Sequence, residues 1–143
     1  AAVFASTVLK FKDYFSTRVL TPLFHRLIPF REKRKSYPKD VRDKVNYLGY
    51  QVWPMSAVNE MRKLTNKVQK EIPKIKCPAL VVHSAKDMLS LQSNISLVYD
   101  NISSEIKEKL IVNQANHNLF VTSPDQELIF QKITSYFNQF RKN

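Results

Sequence analysis

Two side chains in this sequence have the types and spacing to share a proton. Asp87 comes shortly after the apolar run Ala79 to His83 (ALVVH), and His117 follows the run Lys109 to Val112 (KLIV) by a similar loop, Asn113 to Asn116. In a parallel sheet, functional groups collect beyond the C-terminal ends of the strands. An acid after one strand and a histidine after the next can form an Asp–His pair. The carboxylate would hold the imidazole tautomer and stabilise the imidazolium, and the ring would carry a proton between a nucleophile and its leaving group. Taken singly, each residue has an ordinary reading. A loop Asp commonly serves a turn or a helix cap, and a lone loop His commonly sits on the surface or packs.

The elements that must position the pair follow from the apolar pattern. Ala1 to Thr7 (AAVFAST) reads as a short buried strand. ALVVH, after Pro78, is a β-branched run short enough to be a strand buried on both faces, and KLIV is a third strand. A helix is expected over Ser56 to Lys70, with Ser56 as its N-cap and Val58, Met61, Leu64, Thr65 and Val68 on its apolar face. A second runs from Ser90 or Ser93 to Tyr99, with Ile95, Val98 and Tyr99 inward. A third, opened by Pro124 and Asp125, turns Leu128, Ile129, Ile133, Tyr136, Phe137 and Phe140 inward. Between Lys10 and Asn46, Phe11, Tyr14, Phe15, Val19, Leu20, Phe24 and Leu27 keep roughly helical spacing. Pro22 and Pro29 predict breaks there, and Pro38 begins or precedes another short segment. Strand, helices, strand, helix, strand, helix is the order of an α/β fold with a parallel sheet and helical crossovers.

The segments bearing the acid and the histidine resemble those of α/β-hydrolases. Ile75-Lys76-Cys77-Pro78-Ala79-Leu80-Val81-Val82-His83-Ser84-Ala85-Lys86-Asp87 is similar to the I-x-x-P-x-L-V-I-x-G/S-x-x-D strand and acid loop of that family. Leu110-Ile111-Val112-Asn113-Gln114-Ala115-Asn116-His117 resembles its last strand and histidine loop. Ile95 to Lys107 and Trp53 to Leu64 are similar to the neighbouring segments of carboxylesterases and monoacylglycerol-lipase-like members. The resemblance covers Trp53 to Phe140 and agrees with the family order Ser, Asp, His. It implies a partial α/β-hydrolase fold, with three parallel strands, crossover helices and a helical cap insertion. Residues 1–8 would be the sixth strand, 9–55 the helical cap, and 56–143 the C-terminal core. It also implies catalytic roles for Asp87 and His117, an acyl or lipid-like ester as substrate, and no cofactor or metal. Two positions depart from the pattern. Asn116 stands where Gly is common before the histidine, and Asn tolerates the left-handed backbone Gly would supply. Leu89 can fill the aliphatic place after the acid, but Ser90 is less usual.

A nucleophile is missing from the pattern. The elbow G-x-S-x-G needs small residues around a strained serine, and Gly49 is the one glycine in 143 residues. Ser56, Ser84, Ser103 and Ser104 all lack such flanks. The elbow would lie upstream of the sixth strand, and the opening Ala-Ala-Val-Phe-Ala suggests that residues before it have been removed. The expectation is therefore a C-terminal portion of a serine ester hydrolase, inactive alone. Its partner would be the missing N-terminal half, or a second copy meeting the exposed edge of the first strand. The alternative is a non-catalytic α/β-hydrolase-like binding module whose basic cap contacts a membrane or a protein.

Charge and cysteine narrow the remaining classes. The net charge is +11, from 23 Lys and Arg against 12 Asp and Glu. The basic residues are dispersed, which favours a solvated surface over a nucleic-acid site. The densest run, Arg31 to Lys35, lacks the interleaved aromatics of a base-stacking platform and borders a loop at Ser36, Tyr37 and Pro38. Contact between the cap cations and anionic headgroups stays open. The single cysteine, Cys77, is expected to be buried and cannot form an internal disulfide. That fits a reducing, cytoplasmic setting. His83 is expected to be a packed, hydrogen-bonded residue and His25 a surface one. Phe11, Phe15, Phe24, Leu27 and Phe30 could wall an acyl chain or simply pack the cap, and Trp53 and Pro54 would anchor the cap to the sheet.

Overall fold

The computed structural model describes residues 1–33, 50–121 and 123–141. The expected segment at Pro38, the loop at Ser36 to Pro38 and Gly49 lie outside them. Three strands, β1 (Ala2–Ala5), β4 (Ala79–Ser84) and β5 (Lys107–Val112), form one parallel sheet in the order β1-β4-β5. Ala2 pairs with Ala79 and Ala79 with Lys107, so the C-terminal ends of all three strands point the same way. All six residues of β4 are buried, as the unbroken apolar run after Pro78 requires of a central strand.

Strand alternation divides the core into two layers. Ala79 and Val81 face one way and pack with Leu9, Ile72, Ile95, Val98 and Ile102. Leu80 and Val82 face the other way and pack with Val112, Ala115, Leu119, Ile129 and Tyr136. Helix α3 (Asn94–Tyr99) supplies the first layer and α4 (Gln126–Asn138) the second. This is the layered α/β arrangement of a partial α/β-hydrolase. The chain forms two compact units, residues 1–12 with 65–143, and residues 13–64.

In the second unit the backbone departs from the expected run of helices. A π-helical turn, Ser16–Leu20, runs into α1 (Thr21–Phe24). Pro22 lies in the first turn of α1 and begins that helix rather than breaking it, since a first-turn proline has no intrahelical N–H to lose. β2 (Phe30–Glu32) then pairs antiparallel with β3 (Val52–Pro54), matching Phe30 with Pro54 and Arg31 with Trp53. The region is thus helical only in part, and Trp53 and Pro54 are committed to this two-stranded sheet. His25 is half-buried, and its Nδ1 lies 3.1 Å from the Thr21 carbonyl and 3.2 Å from that of Pro22.

Helix α2 (Met55–Glu71) begins one residue before the expected cap, so Ser56 lies inside it. Its packed face matches expectation only in part. Thr65 is buried and Val58 half-buried as expected, but Met61, Leu64 and Val68 are exposed, and Met55 and Asn59 are buried. Cys77 is exposed rather than buried, because it belongs to the turn before β4 and not to the strand.

Candidate active site

Asp87 and His117 meet. His117 Nδ1 lies 2.8 Å from Asp87 Oδ2, with the acid side chain 2% exposed and the imidazole 31%. Both stand beyond the C-terminal ends of adjacent parallel strands, β4 and β5. Local bonds fix the acid. Asp87 Oδ1 accepts from the Leu89 amide at 2.8 Å and the Ser90 amide at 3.0 Å, an Asx turn closing on itself. Ser90 Oγ donates to Oδ2 at 3.0 Å. With His117, the carboxylate therefore has four donors among the described residues. Burial pushes its pKa up. The hydrogen bond from His117, those from the Ser90 and Leu89 amides and the charge on His117 outweigh burial and hold it below the usual 3.8.

An ionised carboxylate can only accept, so Nδ1 of His117 carries a hydrogen. In the neutral ring Nε2 then keeps its lone pair. This is the tautomer of a general base.

The loop carrying His117 is tied to three elements. Ser6, just past β1, donates from Oγ to the His117 carbonyl at 2.8 Å. Ser84, ending β4, donates from Oγ to the Ala115 carbonyl. Asp125, preceding α4, accepts from the Gln114 and Ala115 amides, each at 2.8 Å. Among the described non-glycine residues only Ser6 has a positive φ, 46°. The left-handed residue is therefore at the end of β1, and Asn116 does not take that conformation. A non-glycine residue there costs about 1–2 kcal/mol, and the bond to the His117 carbonyl offsets part of it. The segment after β1 is tied to the start of α3. Asn94 accepts from the Leu9 and Lys10 amides through Oδ1 and donates to the Lys10 carbonyl through Nδ2.

Sequence reasoning missed Ser6, Ser84, Asn94 and Asp125 as supports. Their only signal was polarity at the ends of apolar elements, which every loop shares. His83 is buried, and its Nε2 lies 3.0 Å from Ser90 Oγ and 3.6 Å from Asp87 Oδ2. Burial pushes the His83 imidazole below its usual 6.5; the Asp87 carboxylate opposes this and His117 adds to it. Among the described residues no cluster of three or more His, Cys, Asp or Glu could hold a metal ion, and no helix is long and apolar enough to cross a membrane.

Both shifts make acid destabilising. His83 is protonated more readily unfolded than folded, so its contribution is complete above about pH 6.5 and is lost as the pH falls below that value. Asp87 contributes above about 3.8 and loses that contribution as the pH falls further. Melting temperature is expected to hold steady above neutrality, to decline below about pH 6.5 and to fall more steeply below about pH 4. His83→Gln should remove the first decline. An identical decline in that variant would assign it to another group.

Comparison with known proteins adds the wider frame. The family model described as serine aminopeptidase, S33 matches residues 4–124. No curated protein matches the chain. Among solved structures, one from the metagenome-derived lipolytic enzymes LipS and LipT is similar at TM-score 0.77 and 20% identity, over 96% of this chain and 54% of that one. The monoacylglycerol lipase of Paleococcus ferrophilus is similar at 0.72 and 16%, over 94% and 56%. A soluble variant of monoglyceride lipase from Saccharomyces cerevisiae, bound to a substrate analogue, is similar at 0.73 and 13%, over 97% and 55%. The chain therefore spans little more than half the length of each of these structures.

Proposed function

We propose a function from one premise, that the chain belongs to the serine aminopeptidase S33 family: it is the acid–base portion of a serine hydrolase acting on carboxylic esters with an acyl or lipid-like group. The observation that carries this is the 2.8 Å contact between His117 Nδ1 and a buried, fully hydrogen-bonded Asp87. His117 Nε2 takes the proton from a serine hydroxyl as it attacks the ester carbonyl, then returns it to the departing alkoxide. Asp87 stays ionised and stabilises the imidazolium. The serine and the oxyanion-hole donors come from residues outside this chain. No G-x-S-x-G occurs in it. Among the hydroxyls around the pair, those of Ser6 and Ser84 are given to backbone carbonyls and that of Ser90 to Asp87. Without the covalent step and the oxyanion hole, the 143-residue chain alone should turn over little ester. A cytoplasmic setting is part of this proposal.

The test is p-nitrophenyl ester hydrolysis by a longer protein that includes the elbow, beside this chain. Activity in the longer protein only supports the reading. An inactive, folded longer protein would overturn it.

A second reading, surface contact with a membrane, has its own observation. In the unit of residues 13–64, Phe15, Leu20, Leu23, Leu27, Ile28 and Phe30 are exposed, with Leu27 at 76%. Arg26 and Arg31 lie in the same stretch. Apolar side chains bordered by cations suit an anionic lipid surface. Co-sedimentation with anionic vesicles, reduced in Leu23→Ser/Leu27→Ser, is expected; equal sedimentation of variant and parent would exclude it.

A further inference from the structure

Beside the acid, two buried polar side chains take no part in the proton transfer described above. Ser90 stands where the resembling segments more often carry an aliphatic residue, and His83 ends the central strand. Both are 1% exposed. Ser90 Oγ lies 3.0 Å from Asp87 Oδ2 and 3.0 Å from His83 Nε2.

The direction of these bonds follows from donor and acceptor chemistry. A carboxylate only accepts, so the Ser90 hydrogen goes to Asp87. The Ser90 oxygen can then only accept from His83, so Nε2 of His83 must carry the ring hydrogen. The result is a one-way chain, from His83 Nε2–H to Ser90 Oγ–H to Asp87 Oδ2, meeting His117 Nδ1–H at the same oxygen.

We propose that Ser90 is a positioning residue for the acid, and that His83 sets the direction in which its hydroxyl points. The Asx turn holds Oδ1 from one side through two backbone amides. Ser90 Oγ holds Oδ2 from the other side, so the plane of the carboxylate is fixed with one acceptor direction left for His117. An aliphatic residue at 90 would keep the amide bond and lose this second hold. The inference rests on Asp87 being the orienting acid of the proposed hydrolase.

Two measurements on the full 143-residue chain test it. Nitrogen-15 NMR of the unsubstituted chain reads the His83 tautomer directly. Nε2-protonated His83 is expected; a ring protonated on Nδ1 alone would overturn the proposal, whatever any variant does. Carbon-13 titration of the Asp87 carboxyl then compares Ser90→Ala with Ser90→Thr. The described ionisable groups in contact with Asp87 are His83, from the end of β4, and His117, from the loop after β5. Both stay in every variant, so the difference reports the hydroxyl. Ser90→Ala should move the Asp87 titration upward by about one pH unit, because a hydrogen bond to the charged form has been lost. Ser90→Thr, which keeps the hydroxyl, should restore most of that shift. An unchanged titration in Ser90→Ala, or a shift that Ser90→Thr leaves in place, would overturn the role. Neither measurement depends on turnover, so a failure to find ester hydrolysis counts against the hydrolase proposal alone.

Discussion

His117→Ala, made in a longer protein that carries the serine, is expected to lower kcat for p-nitrophenyl ester hydrolysis by about 10⁵-fold or more. The loss is large because Nε2 is both the base for attack and the acid for departure, and no other described group is placed to replace it. Asp87→Asn should cost about 10⁴-fold by a different route. The Leu89 and Ser90 amides both point at the Oδ1 position, so they select the amide oxygen there. The Asn NH₂ then falls at the Oδ2 position, facing His117 Nδ1 and Ser90 Oγ. Two donors cannot face each other, so His117 must move its hydrogen to Nε2, and the base is lost with the fold intact. The nitrogen-15 shifts of His117 would report this exchange without any assay. Activity unaffected by His117→Ala would mean that another group is the base. Asp87→Asn with full activity and the original tautomer would remove the orienting role.

The largest loss of stability is expected from Tyr136→Ala. Tyr136 is fully buried on the α4 side of the sheet, in edge contact with Phe140 at 5.2 Å between ring centres. It packs in the layer that holds Leu80, Val82 and Ile129. Removing a buried aromatic ring costs about 3–5 kcal/mol, since transfer and cavity terms add. For a chain of this size that is roughly a 10 °C fall in Tm. Two companions separate ring from hydroxyl and site from helix. Tyr136→Phe loses only a 3.4 Å bond to the Ile106 carbonyl and should cost about 1 kcal/mol or less. Leu128→Ala alters the same helix at a side chain left 51% exposed and should cost about 1 kcal/mol or less. Equal losses in Tyr136→Ala and Leu128→Ala would contradict the division of α4 into a packed and a solvated face.

The parts of the fold that could be read from residues are those where one short stretch carries its whole signal. ALVVH has to be buried on both faces, because five consecutive apolar or neutral residues leave no polar side, and it became the central strand with both core layers on it. The expected inward residues of α3, Ile95 and Val98, are buried. Asp87 and His117 could be named because each follows a strand and parallel strands deliver their ends to one edge.

Periodicity says that a helix has an apolar stripe but not what lies against it. In α2 the stripe was legible and its member Thr65 is buried, yet Met61, Leu64 and Val68 are exposed and the polar Asn59 is buried. In α4 the same limit applies to Leu128 and Phe137. β2 and β3 were missed because three-residue strands carry no countable alternation, and their pairing joins residues twenty or more apart.

The local pattern of residues therefore established the three strands of the parallel sheet, the two groups able to share a proton, and the lack of a nucleophile elbow in this chain. Register and long-range contact settled the rest. Ser6 reaches His117 across 111 residues, Ser84 reaches Ala115 across 31, and His83 meets Ser90 and Asp87 only because folding buries it beside them. Hydrogen bonds of that kind depend on distance in space, and no spacing along a chain encodes it.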